Sequence, residues 1–114
     1  MHKSYSLISV IIPIYNQGDF IESVVEDYVL ALRKLGKPYE IILAPNGCQD
    51  NTLDVCHRLV KKNKEFQLVA LEKNGWGKII KQAVEASKGN LICYVNSARN
   101  TGGDLLAVLS KALE

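Results

Sequence analysis

The chain of 114 residues is 47% hydrophobic and 23% charged, with a formal net charge of +2. That length and balance fit one small globular domain with a real core, and so weak a charge argues against nucleic acid or an acidic membrane surface as partner. No apolar run reaches the ~20 residues of a membrane-spanning helix. The opening Met1–Ser6 runs straight into an apolar segment, without a signal peptide's apolar region and cleavage site. Cys48, Cys56 and Cys93 are odd in number and scattered, which suits small buried hydrophobes in a reducing cytosol better than a disulfide framework. The expected location is therefore cytoplasmic.

Leu7–Asn16 is a near-continuous apolar run rich in β-branched residues, the pattern of a strand buried on both faces of a parallel sheet. Pro13 has no N–H for a ladder and is expected to end regular pairing. Tyr15 and Asn16 then sit where the chain leaves the sheet, and Gly18 permits a tight turn. Ile21, Val24, Val25, Tyr28, Val29, Leu32 and Leu35 recur at helical spacing; Gln17 or Asp19 is expected to start this helix and Gly36-Lys37-Pro38 to stop it. Tyr39–Ala44 reads as a second buried strand, broken by Pro45-Asn46-Gly47. Asp50 reads as the N-cap of a helix carrying Leu53, Val55, Cys56, Leu59 and Val60. Lys61, Lys62 and Lys64 suit its C-terminal end, where the helix dipole favours cations. Phe66–Leu71 is a third strand, Asn74-Gly75-Trp76-Gly77 a loop, and Ile79–Ala86 a third helical segment stopped by Lys88-Gly89-Asn90. Leu91–Val95 is a fourth strand, and Thr101 through Asp104 resembles a capping box ahead of a helix over Leu105–Leu113.

Strands alternating with helices in this way imply an α/β domain with a mainly parallel sheet and right-handed crossovers. Ligands of open α/β sheets bind at the carboxyl ends of the strands. Here those ends are Pro13–Asn16, Pro45–Cys48, Glu72–Asn74 and Asn96–Arg99. They offer amides, a phenol and glycines, with Lys78 nearby, a chemistry suited to hydrogen bonding of a base and ribose with a cation for phosphate. They lack convergent carboxylates, a Ser-His-Asp set and any Cys/His cluster with metal spacing. The lone Gly18 does not make a dinucleotide fingerprint, and Gly75-Trp76-Gly77-Lys78 ends in Ile79 rather than Ser or Thr, so it is not a P-loop. Missing acidic residues at the early strand ends also exclude a receiver-type phosphoacceptor domain.

Three blocks carry a resemblance. Ser9-Val10-Ile11-Ile12-Pro13-Ile14-Tyr15-Asn16 is similar to the opening of inverting family 2 glycosyltransferases of GT-A fold. Glu40 through Thr52 is similar to that family's stretch ending Asp-Asp-Gly-Ser-x-Asp-x-Thr. Asn74-Gly75-Trp76-Gly77-Lys78, continuing to Ala86-Ser87-Lys88-Gly89, resembles its Asn-x-Gly-x-x region and the Ala-x-Gly before the fourth strand. Gly77-Lys78 points to the dolichol-phosphate-sugar synthase-like branch. The resemblance covers essentially residues 1–114 but only the family's N-terminal, nucleotide-binding half. It implies one nucleotide-sugar-binding domain, truncated relative to the full family fold: a three-layer, Rossmann-like α/β/α arrangement of four strands in order 3-2-1-4.

By that resemblance the ligand is a nucleoside-diphosphate sugar, and Pro13, Tyr15 and Asn16 lie along its base and ribose. Asn46 stands at a base-contacting acidic position and Pro45 at the acidic position before it. The family's Asp-x-Asp, which holds a divalent ion (Mg or Mn) against the diphosphate, is replaced by Asn96-Ser97-Ala98. Ala98 offers no side-chain ligand, and hard cations want anionic oxygen. The catalytic base belongs to the family's C-terminal half, so the chain is expected to bind a donor sugar nucleotide but to be inactive or incomplete as an enzyme. The alternative is a non-catalytic module that binds a nucleotide or a protein. A missing half would expose sheet edge and apolar surface, so self-association is also expected. Several residues keep a structural reading beside the functional one: Asn46-Gly47 as a turn, Trp76 as packing, Lys78 as a solvated lysine and His57 as a surface residue.

Overall fold

The computed structural model describes residues 7–114, and Met1–Ser6 lies outside the described residues. The elements in chain order are β1 (Ile8–Ile14), α1 (Ile21–Leu35), β2 (Tyr39–Pro45), α2 (Thr52–Lys62), β3 (Phe66–Leu68), α3 (Trp76–Ala86), β4 (Leu91–Tyr94) and α4 (Gly102–Ala112). All strand pairs are parallel and the sheet order is β3-β2-β1-β4, the order that the resemblance implied.

β1 is buried along its whole length, as its apolar run predicts for a central strand with helices on both sides. One face of β1, carrying Ile8, Val10, Ile12 and Ile14, joins Ile41 and Leu43 of β2 and packs against α1, α2 and α4 through Val25, Tyr28, Leu32, Val55, Leu59, Leu105 and Leu109. Each fully buried Ile or Leu contributes roughly 1.5–3 kcal/mol, so this face dominates stability. The opposite face, with Ile11 and Ile42, is covered by α3 through Ala83. α3 does not reach across to β4, where Ile92 and Tyr94 remain 42% and 63% exposed.

Pro13 does not end β1; it pairs in register with Ala44. The edge of β1 that faces β4 makes its last ladder bond where the Val95 N–H donates to the Ile11 carbonyl at 3.1 Å. Pro13 turns to that same edge two residues later, beyond the last β1–β4 pair at Ile11 and Tyr94, so no N–H is needed there. On its other edge β1 continues, and Asn46 N–H donates to the Ile14 carbonyl at 2.9 Å. Proline shortens β3 instead. Regular pairing stops at Leu68 rather than Leu71, because Pro45 has no N–H to return to the neighbouring strand. Its carbonyl still accepts from Leu71 N–H at 3.0 Å, and an isolated bridge joins Asn46 to Leu71.

Helix starts differ by small steps from the sequence pattern. α1 has Phe20 at its N-cap with no side-chain cap; Gln17 begins the turn through its backbone carbonyl, which accepts from Phe20 and Ile21 N–H. The N-cap of α2 is Asn51, yet Asp50 does the capping from one position earlier, since its Oδ1 accepts from Thr52 N–H at 2.9 Å. α3 starts at Trp76 because the Gly75 carbonyl accepts from Ile79 N–H at 2.9 Å, so Trp76 and Gly77 are helical rather than loop. The expected capping box at Thr101 and Asp104 is present.

Candidate functional site

The carboxyl ends of β1, β2 and β4 open into a cleft of about 590 Å³ lined by Pro13, Tyr15, Asn16, Asn46, Asn96 and Ala98, among others. Six of the seven residues singled out from sequence thus meet in one place. Lys78 does not line it; this lysine borders a neighbouring depression with Glu72, Lys73 and Gly75. The cleft also takes in Gln17, Phe20, Asn74, Trp76 and Ser97. Trp76 had a sequence signal as a possible stacking group. Gln17 read only as a helix start, and nothing in the chain order brings it beside Ser97.

The turn after β1 is fixed by polar contacts to α2. Asn16 sits at φ 46°, a left-handed conformation that asparagine tolerates better than most residues. Its Oδ1 accepts from Gln49 N–H at 2.7 Å and from Asp50 N–H at 3.3 Å. Gln17 N–H donates to Thr52 Oγ1 at 2.9 Å, and Gly18 N–H donates to Asp50 Oδ2 at 3.1 Å. The hydroxyl of Thr52 also donates to Asp50 Oδ1. That bond, with the amides of Thr52 and Gly18, holds the Asp50 carboxyl below its ordinary pKa. Gly18 is needed for this approach rather than for its backbone angles: a Cβ there would lie 1.8 Å from Asn51 Oδ1.

Asn46 is 3% exposed and joins β2 to the entrance of α3. Its Oδ1 accepts from Gly75 N–H at 2.9 Å, and its Nδ2 donates to Asn74 Oδ1 at 2.9 Å. Next to it Gly47 has φ 64°, and a Cβ there would lie 2.7 Å from Asn74 N. The Asn46-Gly47 pair is therefore a turn, and Asn46 also lines the cleft.

At the β4 end, Ser97 Oγ donates to Gln17 Oε1 at 2.7 Å. Asn96 Oδ1 accepts from Ala98 N–H at 3.0 Å, while Asn96 N–H donates to Asn100 Oδ1 at 2.7 Å. The Tyr28 hydroxyl donates to the Asn100 carbonyl at 2.8 Å and so ties this turn to α1. Burial, with Asp27 and Asp104 adding to it, pushes the Tyr28 phenol up to about 12. Gln17 is 7% exposed; its Oε1 also accepts from Tyr15 N–H at 3.4 Å, and its Nε2 has no hydrogen-bond partner. Tyr15, Phe20 and Trp76 are 53%, 47% and 58% exposed, so three aromatic surfaces border the cleft beside its amides.

The residues present do not fit a divalent cation. The oxygen of Asn96 is already engaged, Ala98 has none, and among the described residues no cluster of His, Cys, Asp or Glu could hold a metal.

Known proteins share this framework. Glycosyltransferase GlyG of Streptococcus pneumoniae is 30% identical over 92 residues, which cover 80% of this chain and 30% of that protein. The undecaprenyl-phosphate 4-deoxy-4-formamido-L-arabinose transferase of Pectobacterium atrosepticum is 30% identical over 70 residues, 61% of this chain and 21% of that one. Among solved structures, mannosyltransferase PcManGT from Pyrobaculum calidifontis, in complex with GDP-Man and Mn2+, superposes with a TM-score of 0.66 at 18% identity over 79% of this chain and 27% of its own. S. aureus TarS in complex with UDP-GlcNAc superposes with a TM-score of 0.65 at 25% identity over 92% of this chain and 29% of its own. The chain thus spans about a fifth to a third of the length of these proteins. Residues 9–97 match the sequence profile of Glycosyl transferase family 2, more than half of the chain, and the protein belongs to that family.

Proposed function

We propose that the cleft binds a nucleoside-diphosphate sugar, and that the chain is the donor-binding half of a glycosyltransferase-like protein of the dolichol-phosphate-sugar synthase-like branch. The observation that carries this reading is convergence. Sequence blocks far apart in the chain, around Tyr15, Asn46, Trp76 and Asn96, line one cleft at the carboxyl ends of the strands, where α/β sheets bind ligands. The bound GDP-Man and UDP-GlcNAc of the two structural relatives support the same ligand class. Gly77-Lys78 is the feature that favours the branch. In this reading Tyr15 and Trp76 supply faces for the base, and the amides between them hydrogen-bond the rest. The chain does not complete transfer alone, since its β4 end carries no carboxylate to organise a diphosphate leaving group.

The test is calorimetric titration with UDP, GDP and their sugar conjugates, with and without manganese. Binding of one nucleotide, weakened by Tyr15→Ala, is the expected result; no binding under any condition overturns the reading. A second reading, a non-catalytic module that binds a nucleotide or a protein partner, is favoured by Asn96-Ser97-Ala98 alone. Restoring both carboxylates by Asn96→Asp with Ala98→Asp separates the two. Newly metal-dependent nucleotide binding marks a donor site that has lost its ion. No gain favours the module.

A further inference from the structure

All five amide side chains of the cleft accept through their oxygens, and only Asn46 also donates within the protein. Asn16 Oδ1 accepts from Gln49 and Asp50 N–H, Asn46 Oδ1 from Gly75 N–H, and Asn96 Oδ1 from Ala98 N–H. Gln17 Oε1 accepts from Tyr15 N–H and Ser97 Oγ, and Asn74 Oδ1 from Asn46 Nδ2. Backbone N–H groups only donate, so these contacts fix which end of Asn16, Gln17, Asn46 and Asn96 is oxygen; Asn46 in turn fixes Asn74. Each of the five oxygens already accepts at least one bond from the protein. The nitrogens of Asn16, Gln17, Asn74 and Asn96 donate to nothing among the described residues, and the nine-tenths-buried Gln17 keeps an unpartnered Nε2. No residue lining the cleft is charged.

We infer that this is a metal-free anion site: neutral amide donors, Gln17 Nε2 among them, take the phosphoryl oxygens of the ligand in place of a divalent ion. A hard cation wants anionic oxygens, and the lining of the cleft offers none. A diphosphate needs donors, and the free N–H groups supply them; hydrogen bonds to a charged acceptor are the stronger kind. The Gln17 donor is buried without a partner, a costly state that an incoming oxygen relieves. Of the two bonds that Gln17 Oε1 accepts, the one from Tyr15 N–H is the longer, at 3.4 Å against 2.7 Å from Ser97 Oγ. This inference rests on the nucleotide reading above but makes a separate demand of it.

The experiment compares uridine, guanosine, UDP, GDP and inorganic pyrophosphate on the full chain by calorimetry, in EDTA and in manganese. The expected result is that one nucleoside diphosphate binds at least about tenfold more tightly than its nucleoside, with the same affinity in EDTA as in manganese. Asn96→Asp keeps the oxygen that holds Ala98 N–H and replaces the donor by an acceptor. It should weaken the diphosphate about tenfold in EDTA and leave the nucleoside unchanged. Gln17→Glu makes the same exchange at the buried position, with thermal unfolding as its check on folding. Equal binding of nucleoside and diphosphate, a requirement for manganese, or an Asn96→Asp variant that binds diphosphate as well as the parent in EDTA each overturns the inference. The manganese requirement would leave the nucleotide reading standing, whereas failure of every nucleotide and nucleoside to bind removes that reading itself.

Discussion

The sheet has two polar ends, and they are built oppositely. At the amino-terminal end, Glu40 accepts from Ser9 Oγ at 2.6 Å, from Lys88 N–H at 2.5 Å and from Gln67 Nε2 at 2.9 Å. Gly89 N–H donates to Ser9 Oγ, and Gln67 also donates to the Ala86 carbonyl at the end of α3. Every partner there comes from the protein, so the cluster clamps β1, β2, β3, α3 and the start of β4 together. At the carboxyl-terminal end the amides bond the protein through their oxygens and leave nitrogens free, with a buried donor unmatched at Gln17. Polar groups that are fully satisfied rigidify a fold; groups that are half satisfied await something. The first end is therefore architecture and the second is the one proposed for recognition, although residues of the family's sequence blocks take part in both.

The largest effect that bears on this contrast is at Glu40. Glu40→Ala takes the acceptor from the buried Ser9 hydroxyl and from the part-buried Lys88 amide, leaves Gln67 only the Ala86 carbonyl, and should cost about 3 kcal/mol in denaturant unfolding. Nucleotide affinity of the folded protein should stay unchanged. A loss of affinity without a loss of stability would break the division between the two ends. Asn16→Ala comes next, at about 1–2 kcal/mol, because alanine strains at a left-handed φ and two amide N–H groups lose their acceptor. This variant sharpens the contrast, since Asn16 alone among these residues should lower both stability and binding.

Gln17→Leu should change stability by no more than about 1 kcal/mol, as the lost bonds from Ser97 and Tyr15 are offset by removal of an unmatched buried donor. A cost as large as that of Glu40→Ala would show that the cleft end is also architecture. The last effect is absent at neutral pH: it is a pH dependence confined to alkaline solution, and it belongs to the core between the ends. Burial above all raises the Cys56 thiol from 9.0 to about 12, and the Tyr28 phenol goes from 10.0 to about 12. Both groups are held neutral in the fold, so their contribution is fully present below about pH 9 and is lost as pH rises toward 12. Denaturant midpoints should fall across that window, and Cys56→Ser with Tyr28→Phe should flatten the slope.

The β-branched run of β1 and the helical spacing from Ile21 to Leu35 determined by themselves that an α/β sheet forms and which strand lies at its centre, because periodicity and burial are properties of a local stretch of chain. The family blocks likewise brought Tyr15, Asn16, Asn46 and Asn96 to one end of the sheet. The roles of Pro13 and Pro45 were decided by register: the same missing N–H is harmless at an edge with no partner beyond it and ends a ladder where a partner carbonyl waits. Lys78 shows the limit of chain proximity, since a helix start near the site still directs it to a neighbouring depression. Gln17 shows the other limit. Its partners are Thr52 and Ser97, 35 and 80 residues away, and which atom of an amide stays free depends on where such distant donors come to rest. Composition supplied the amides of the cleft, but only tertiary packing could engage their oxygens within the protein and leave the nitrogens of Asn16, Gln17, Asn74 and Asn96 without a partner among the described residues.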